Sequence, residues 1–387
     1  KLDIIPMQVK VLKHIRLKYA CKHCEGTEEE GISAVTLAPP APQLLPKTMA
    51  TPGLCAYLIT SKYCDALPLY RLEKLFSRGG VDLPRETMGR WMIKIASLLS
   101  GLIDLLEEAI KKGPVQLMDE TRLQVLGEDN RSNTSLSFLW VALGGRPSTP
   151  AVRFMYHQSR SGKVAKSWLS GYQGFVQTDG YEGYDAACSE PGLIHVGCFA
   201  HVRRRFMDAL KSSGKSKQAA EALNYIKKLY TLETELRLQG LSPEAFQIQR
   251  KERADKILDS FHSWLDRKTL TVIPSSLLGK AVFYTLKQWP KLIRYVDSPY
   301  LTPDTNVVEN AIRPFVVGRK NWLIAGSPRG AHASASLYSV IETAKLNNLE
   351  PYWYLRYLLT KLEQERDTIN WQEVLPWNLK NSDLKLV

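Results

Sequence analysis

Three acids stand where an acid is costly or conspicuous. Asp119 falls inside the strand-like run "QLMDETRLQVL", Asp179 closes the apolar run "GFVQTD", and Glu309 lies in the helix-like "NVVENAIRP". Side chains alternate between the faces of a strand, so Leu117, Asp119, Thr121 and Leu123 share one face. A carboxylate in a central strand carries a desolvation cost unless it is paired or holds a cation. Two or three carboxylates drawn together make an oxygen-rich site that suits Mg²⁺ or Mn²⁺. Two such ions can activate an attacking oxygen and stabilise the leaving oxygen of a phosphodiester. Spacing alone leaves the other readings open: Asp119 as a satisfied strand acid, Asp179 as a turn residue, Glu309 as a surface helix acid.

Basic and sulfur-bearing residues form further groups. The segment "RPFVVGRKNWLIAGSPRG" carries Arg313, Arg319 and Lys320 around Trp322. Such cations give sequence-independent phosphate affinity, and an aromatic among them can stack on an unpaired base. Trp322 serves equally well as a core residue. "GCFAHVRRRF" sets Cys198 and His201 at C-x-x-H spacing ahead of Arg203 and Arg204, which a helix would turn toward a phosphate or toward solvent. "YACKHCEG" gives Cys21-x-x-Cys24, half of a zinc site.

Composition sets the frame for these residues. The 387-residue chain carries a net charge of +13, which suits a polyanion partner, with nucleic acid first among candidates. No run of about 18 uncharged apolar residues is present, so no membrane partner is expected. The first residues lack a signal-peptide layout and an initiator Met, and residues are expected to precede Lys1. Six cysteines are too few for a disulfide scaffold. Cys55, Cys64, Cys188 and Cys198 read as reduced thiols, and a cytoplasmic setting is expected.

The elements that must position these residues change character along the chain. Residues 1–53 read as a zinc-finger-like segment, incomplete, and a Pro-rich linker. Residues 54–113 are helical, with "RGGVDL" as a turn and "VDLPRETMGRWMIKIASLLSGLIDLLEEAIKKG" as one long helical pattern closed by Gly113. This order resembles a helix-turn-helix whose second helix would turn Arg85, Arg90 and Lys94 to DNA. A plain helical hairpin is the competing reading. Three strand-like runs follow Pro114 as an antiparallel meander, then a short helix, a fourth strand ending at Asp179, and a fifth at "GLIHVGC". Helices dominate afterwards, and the last pair joins near Asn347–Pro351.

Taken in order, "MDET", "TDGYEGYDAA", "GCFAHVRRRF", "NVVENAIRPFVVGRKNWLIAGSPRGAHASA" and "IETAKLNNLEPYWYL" resemble the insertion-sequence-66 transposases. The resemblance implies an α/β fold: a ribonuclease-H-like mixed sheet over 114–335, with a long helical insertion at about 206–300 and a C-terminal helical region over 336–387. It implies a DDE triad at Asp119, Asp179 and Glu309, with Glu120 and Glu342 as competitors. It implies two Mg²⁺ or Mn²⁺ ions, cleavage at transposon ends, and joining of the freed 3′-hydroxyl to target DNA. Cys198 and His201 take a structural role near the acids. An earlier pair of cysteines would complete a zinc site with Cys21 and Cys24. Expected partners are double-stranded DNA, further copies of the chain on DNA, and small accessory proteins of the same bacterial mobile element. Two rivals differ in class: a DNA-binding regulator or decayed transposase without catalysis, and a structure-selective nuclease on the same core.

Overall fold

The computed structural model describes residues 1–3, 8–20, 35–212 and 216–386. Cys21 and Cys24 lie outside the described residues, so the expected zinc pair has no geometry here. Strands β1 (Lys18–Ala20) and β2 (Val35–Leu37) pair antiparallel, and β1 is exposed throughout.

Four helices follow: α1 (Pro52–Tyr63), α2 (Leu69–Arg78), α3 (Arg85–Leu98) and α4 (Ser100–Lys111). Thr51 caps α1 by accepting from the Leu54 N–H, and Pro52 opens its first turn. Glu73 of α2 accepts the Arg85 N–H at 3.1 Å and so ties the start of α3 to its neighbour. The single helix expected up to Gly113 is instead broken at Leu99, whose ψ is 7°. Two residues beyond the break, Trp371 packs so closely on Gly101 that a Cβ there would lie 2.4 Å from the indole nitrogen.

The sheet is mixed. Strands β3 (Val115–Val125), β4 (Leu136–Gly144) and β5 (Ala151–His157) form the antiparallel meander. Helix α5 (Gly162–Leu169) carries the chain across to β6 (Gly174–Gln177), which pairs parallel with the other side of β3. Helix α6 (Gly183–Ala187) leads to β7 (Leu193–Val196), parallel to β6. The order is β5-β4-β3-β6-β7. The parallel pairings need crossovers, and α5 and α6 supply them. β3 therefore sits at the centre, its two faces alternating as the pattern requires.

Helices α7 (Phe199–Ser212), α8 (Lys217–Leu238), α9 (Pro243–Thr269) and α10 (Leu277–Leu292) come next. Helix α11 (Asn306–Trp322) then returns the chain to the sheet, where β8 (Ile324–Ala325) pairs parallel with Gln124 and Val125 of β3. Helices α12 (Pro328–Leu346) and α13 (Pro351–Gln364) complete the main body. α12 is rich in small residues and covers the edge strand. Its Thr343 and Ser339 hydroxyls accept from the Val152 and Phe154 N–H groups at 3.0 and 2.8 Å. Those are the outward donors of β5, which an open edge would offer to another chain.

Two apolar cores result. One joins α1–α4, the meander, α11, α12 and α13; the other joins α7–α10. Val115 and Leu117 of β3 pack against the second core, while Val308, Ile312 and Phe315 of α11 pack in the first. The insertion is also bound to the loop that feeds α11. Arg250, with no exposed surface, donates to the carbonyls of Leu301 (3.0 Å) and Ser298 and faces Glu233 at 3.5 Å. Gln247 donates to the Asp297 carbonyl at 2.7 Å.

Trp140 on β4 is fully buried, donates to the Ser159 carbonyl at 3.1 Å and meets the Tyr184 ring edge-on. Trp140→Ala is expected to cost about 3–5 kcal/mol by leaving a cavity under the central strand. A fall in the denaturant midpoint of tryptophan-monitored unfolding is the check.

Candidate active site

β3 delivers Asp119 to the face shared with Val115 and Leu117, which looks toward the second core and α11. Glu120 points the other way. Its carboxylate accepts from the Arg160 guanidinium at 2.6 Å and from the Tyr184 hydroxyl, and only 1% of its side chain is exposed. Glu120 is thus engaged on the α5–α6 side of the sheet. Glu342, the other competitor, is buried in α12 and paired with Lys345 at 2.8 Å.

Asp179 follows β6. The buried Gln177 fixes the strand end by donating to the Gly197 and Thr302 carbonyls at 3.2 and 2.8 Å. The Thr178 hydroxyl donates to the Asp179 carbonyl and sits 2.8 Å from His195 Nε2. One Asp179 oxygen accepts the Tyr181 N–H at 2.8 Å, the turn-forming bond an aspartate makes two residues ahead. The turn explanation for this acid is therefore correct as far as it goes. Tyr184 is buried against Trp140, and Tyr181 lies under the Arg160 guanidinium at 3.9 Å.

Glu309 sits in the first turn of α11. The start of this helix is anchored by Cys198, whose Sγ accepts from the N–H and hydroxyl of Thr305 at 3.4 and 3.2 Å. Asp304 accepts the Asn306 N–H at 3.0 Å, in place of a side-chain cap from Thr305 itself. Buried Cys198 thereby couples the start of α7 to the start of α11.

A cleft of about 320 Å³ joins β3, α7 and α11, lined by Asp119, Glu120, His201, Arg204, Glu309 and Arg313; Asp179 is not part of its lining. Asp119 is pushed up to about 7, first by burial and then by the negative charges of Glu120, Asp179 and Glu309 around it. Burial lowers the His201 pKa, against the pull of the Asp179 and Glu309 carboxylates. Arg204, largely exposed, makes a loose pair with Glu309 at 3.8 Å. Among the described residues, no three His, Cys, Asp or Glu side chains approach closely enough to hold an ion. In kind, though, the donors fit a cation. Glu309 Oε1 and His201 Nδ1 are buried without a hydrogen-bond partner, and like charges raise the Asp119 pKa.

Two expectations about the basic residues change. Arg319 is not free for DNA: its guanidinium donates to Thr121 Oγ1 at 3.2 Å and to the Arg122 carbonyl, fastening α11 to β3. Trp322 is half-buried and already engaged. Its ring abuts Gly318, where a Cβ would lie 2.0 Å away, and carries the Lys62 ammonium 4.3 Å from its centre. Arg203, Arg204, Arg313 and Lys320 remain exposed, as do Arg85, Arg90 and Lys94 on the first helical region. Arg85 pairs with Glu86 at 3.0 Å and Arg90 donates to Thr87 at 3.1 Å. Arg205 belongs to the arginine run from which the sequence suggested at least one phosphate contact, but its pairing with Tyr284 was not foreseen: its guanidinium lies 3.9 Å from the Tyr284 ring centre. Gly180, directly after Asp179, was the available signal, since a Cβ there would lie 2.2 Å from the Tyr284 oxygen.

Comparison with known proteins adds the decisive observation. Residues 47–333 match the family described as "Transposase IS66 family". The chain belongs to the IS66 transposase family. Residues 339–377 match the IS66 C-terminal element, and residues 1–25 match the zinc-finger binding domain of transposase IS66. The uncharacterized protein y4jD of Sinorhizobium fredii is 34% identical, covering 98% of this chain and 74% of that protein. The uncharacterized protein y4qI of the same organism is 31% identical, over 98% of this chain and 70% of that protein. No helix among the described residues of this IS66-family chain is long and apolar enough to cross a membrane.

The raised Asp119 pKa has a stability consequence. The native state binds this proton up to about pH 7, whereas the unfolded chain releases it near an ordinary 3.8. Between those values the native state holds more protons, so this group's contribution worsens as pH rises. In metal-free buffer, Asp119→Asn is expected to melt higher than the parent at about pH 8, with the gap closing on acidification to about pH 4. A pH series of thermal melts reads it, and a gap that widens on acidification contradicts the assignment.

Proposed function

We propose that this chain cleaves DNA at transposon ends and joins the freed 3′-hydroxyl to target DNA, with Asp119, Asp179 and Glu309 as its acid triad. The single observation that carries the reading is the cleft that Asp119 and Glu309 line together, with Asp179, outside that lining, still near enough to raise the Asp119 pKa. Family membership supports the transposase activity, and the sheet order of three antiparallel strands followed by two parallel ones supports a ribonuclease-H-like core.

Asp119, Asp179 and Glu309 are the residues that would hold divalent cations, Mg²⁺ or Mn²⁺. Bound there, such ions would activate an attacking oxygen and stabilise the leaving one. The chain's own residues do the rest. β3 and β6 present two carboxylates from rigid, hydrogen-bonded backbone. α11 brings the third, with its start fixed by Cys198 and its far end by Arg319. Arg204 and Arg313 line the cleft and would bind the phosphates of the incoming strand. Arg90 and Lys94, one turn apart on α3, offer a second basic edge for duplex DNA, and Lys320 a third. Zinc at Cys21 and Cys24, assembly of copies on DNA, and accessory proteins belong to this same reading.

Asp179→Ala is expected to abolish divalent-cation-dependent strand cleavage while leaving affinity for duplex DNA within about twofold, because the phosphate-facing cations are untouched. Glu342→Gln should cleave like the parent. The assay is nicking and joining of supercoiled plasmid carrying the element's ends, with filter binding alongside. Parent-level cleavage by Asp179→Ala would sink the triad; a parent that binds DNA but never cleaves would favour the regulator reading.

A further inference from the structure

We propose that Arg205 and Tyr284 form a phosphate-gripping pair, built across α7 and α10 beside Asp179, for the DNA strand that enters the acid cleft. The inference rests on the reading of the chain as a transposase and concerns how that site holds its substrate.

The geometry begins with α7. His201, Arg204 and Arg205 stand at i, i+3 and i+4 and so share one face of this helix. His201 and Arg204 line the cleft, and Arg204 faces Glu309. Arg205 forms no ion pair with a carboxylate among the described residues; its companion is an aromatic ring. The distance of 3.9 Å from guanidinium carbon to ring centre is well inside the roughly 6 Å reach of a cation–π contact. Stacking fixes the plane of the guanidinium and leaves N–H groups on its edge.

The ring belongs to Tyr284 of α10, so the helical insertion itself reaches the site. Its hydroxyl occupies the notch over Gly180 that a Cβ would fill. Gly180 is not among the glycines with positive φ, so glycine stands there for space rather than for backbone conformation. Because Gly180 follows Asp179, the notch sets the Tyr284 oxygen beside the second acid of the triad, and the two groups interact electrostatically.

This donor set has a chemical preference. A half-buried phenol under a stacked guanidinium that pairs with no carboxylate among the described residues presents hydrogen-bond donors and positive charge close to the acids. An anion fits it, and a phosphodiester, whose two free oxygens match the fork of an arginine, is the anion a DNA strand brings to this cleft. Arg204 on the Glu309 side and Arg205 on the Asp179 side then flank the cleft from one helix. A strand held between them lies over the acids rather than beside them.

The test uses the full chain and a fluorescein-labelled duplex of arbitrary sequence, with affinity read by anisotropy over a salt series. Arg205→Gln is expected to lose about tenfold in affinity at low salt. Its log–log salt slope should be shallower by roughly 0.9, the share of one phosphate. Gly180→Ala is expected to weaken binding in the same direction with net charge unchanged, because it displaces Tyr284 from beneath Arg205. Thermal melts of both variants confirm that they are folded; if Arg205→Gln is not, Arg205→Lys replaces it and must weaken binding while keeping the slope. Parent-like affinity and slope in the arginine variant overturn the inference and leave the transposase reading standing. A parent that binds without salt dependence takes both down.

Discussion

Like charges gathered in one partly dry cleft repel one another, and the rest of the molecule is arranged around containing that repulsion. Asp119 bears the cost, its pKa pushed up to about 7 by burial and by the charges of Glu120, Asp179 and Glu309. Nothing local favours such a gathering. It persists because each acid sits on backbone fixed by other contacts: Asp119 between two hydrogen-bonded strands, Asp179 at a strand end held by Gln177, Glu309 on a helix fastened at both ends. A cation in the cleft would relieve the strain that the fold otherwise bears.

The location of the cleft follows from the two cores. Val115 and Leu117 commit the start of β3 to the α7–α10 core, while Val308 and Ile312 commit α11 to the other. The acids occur where one apolar allegiance gives way to the next along each element. Polar groups are tolerable at that seam because neither core closes over it. Arg319 crosses it as a fastener, and Cys198 does the same from α7.

Much of this was legible in the sequence, for identifiable reasons. Period-2 alternation put Asp119 and Glu120 on opposite faces, and β3 obeys it because both faces are packed. The meander and the existence of a fourth and a fifth strand were readable from turn residues and a helix between apolar runs, while the parallel pairing of those two strands emerges only in the fold. What escaped depends on contacts between distant segments. The close packing of Trp371 on Gly101, just past the break at Leu99, joins segments far apart along the chain. Arg319 looked free, and Trp322 stayed open between stacking and core, because nothing in "GRKNW" reveals the strand and the lysine that engage them. Three consecutive arginines on α7 differ only in rotation about its axis, and the sequence does not say which one meets a tyrosine from the insertion.

The buried Arg250 gives the insertion a mechanical meaning. Its guanidinium grips the backbone at Ser298 and Leu301, a few residues before the turn into α11, and Gln177 holds Thr302 from the sheet side. The long helices are thus tied to the body by more than their two chain connections. The insertion and the sheet grip one short segment from opposite sides, through its carbonyl oxygens, just before the chain enters the helix that bears Glu309.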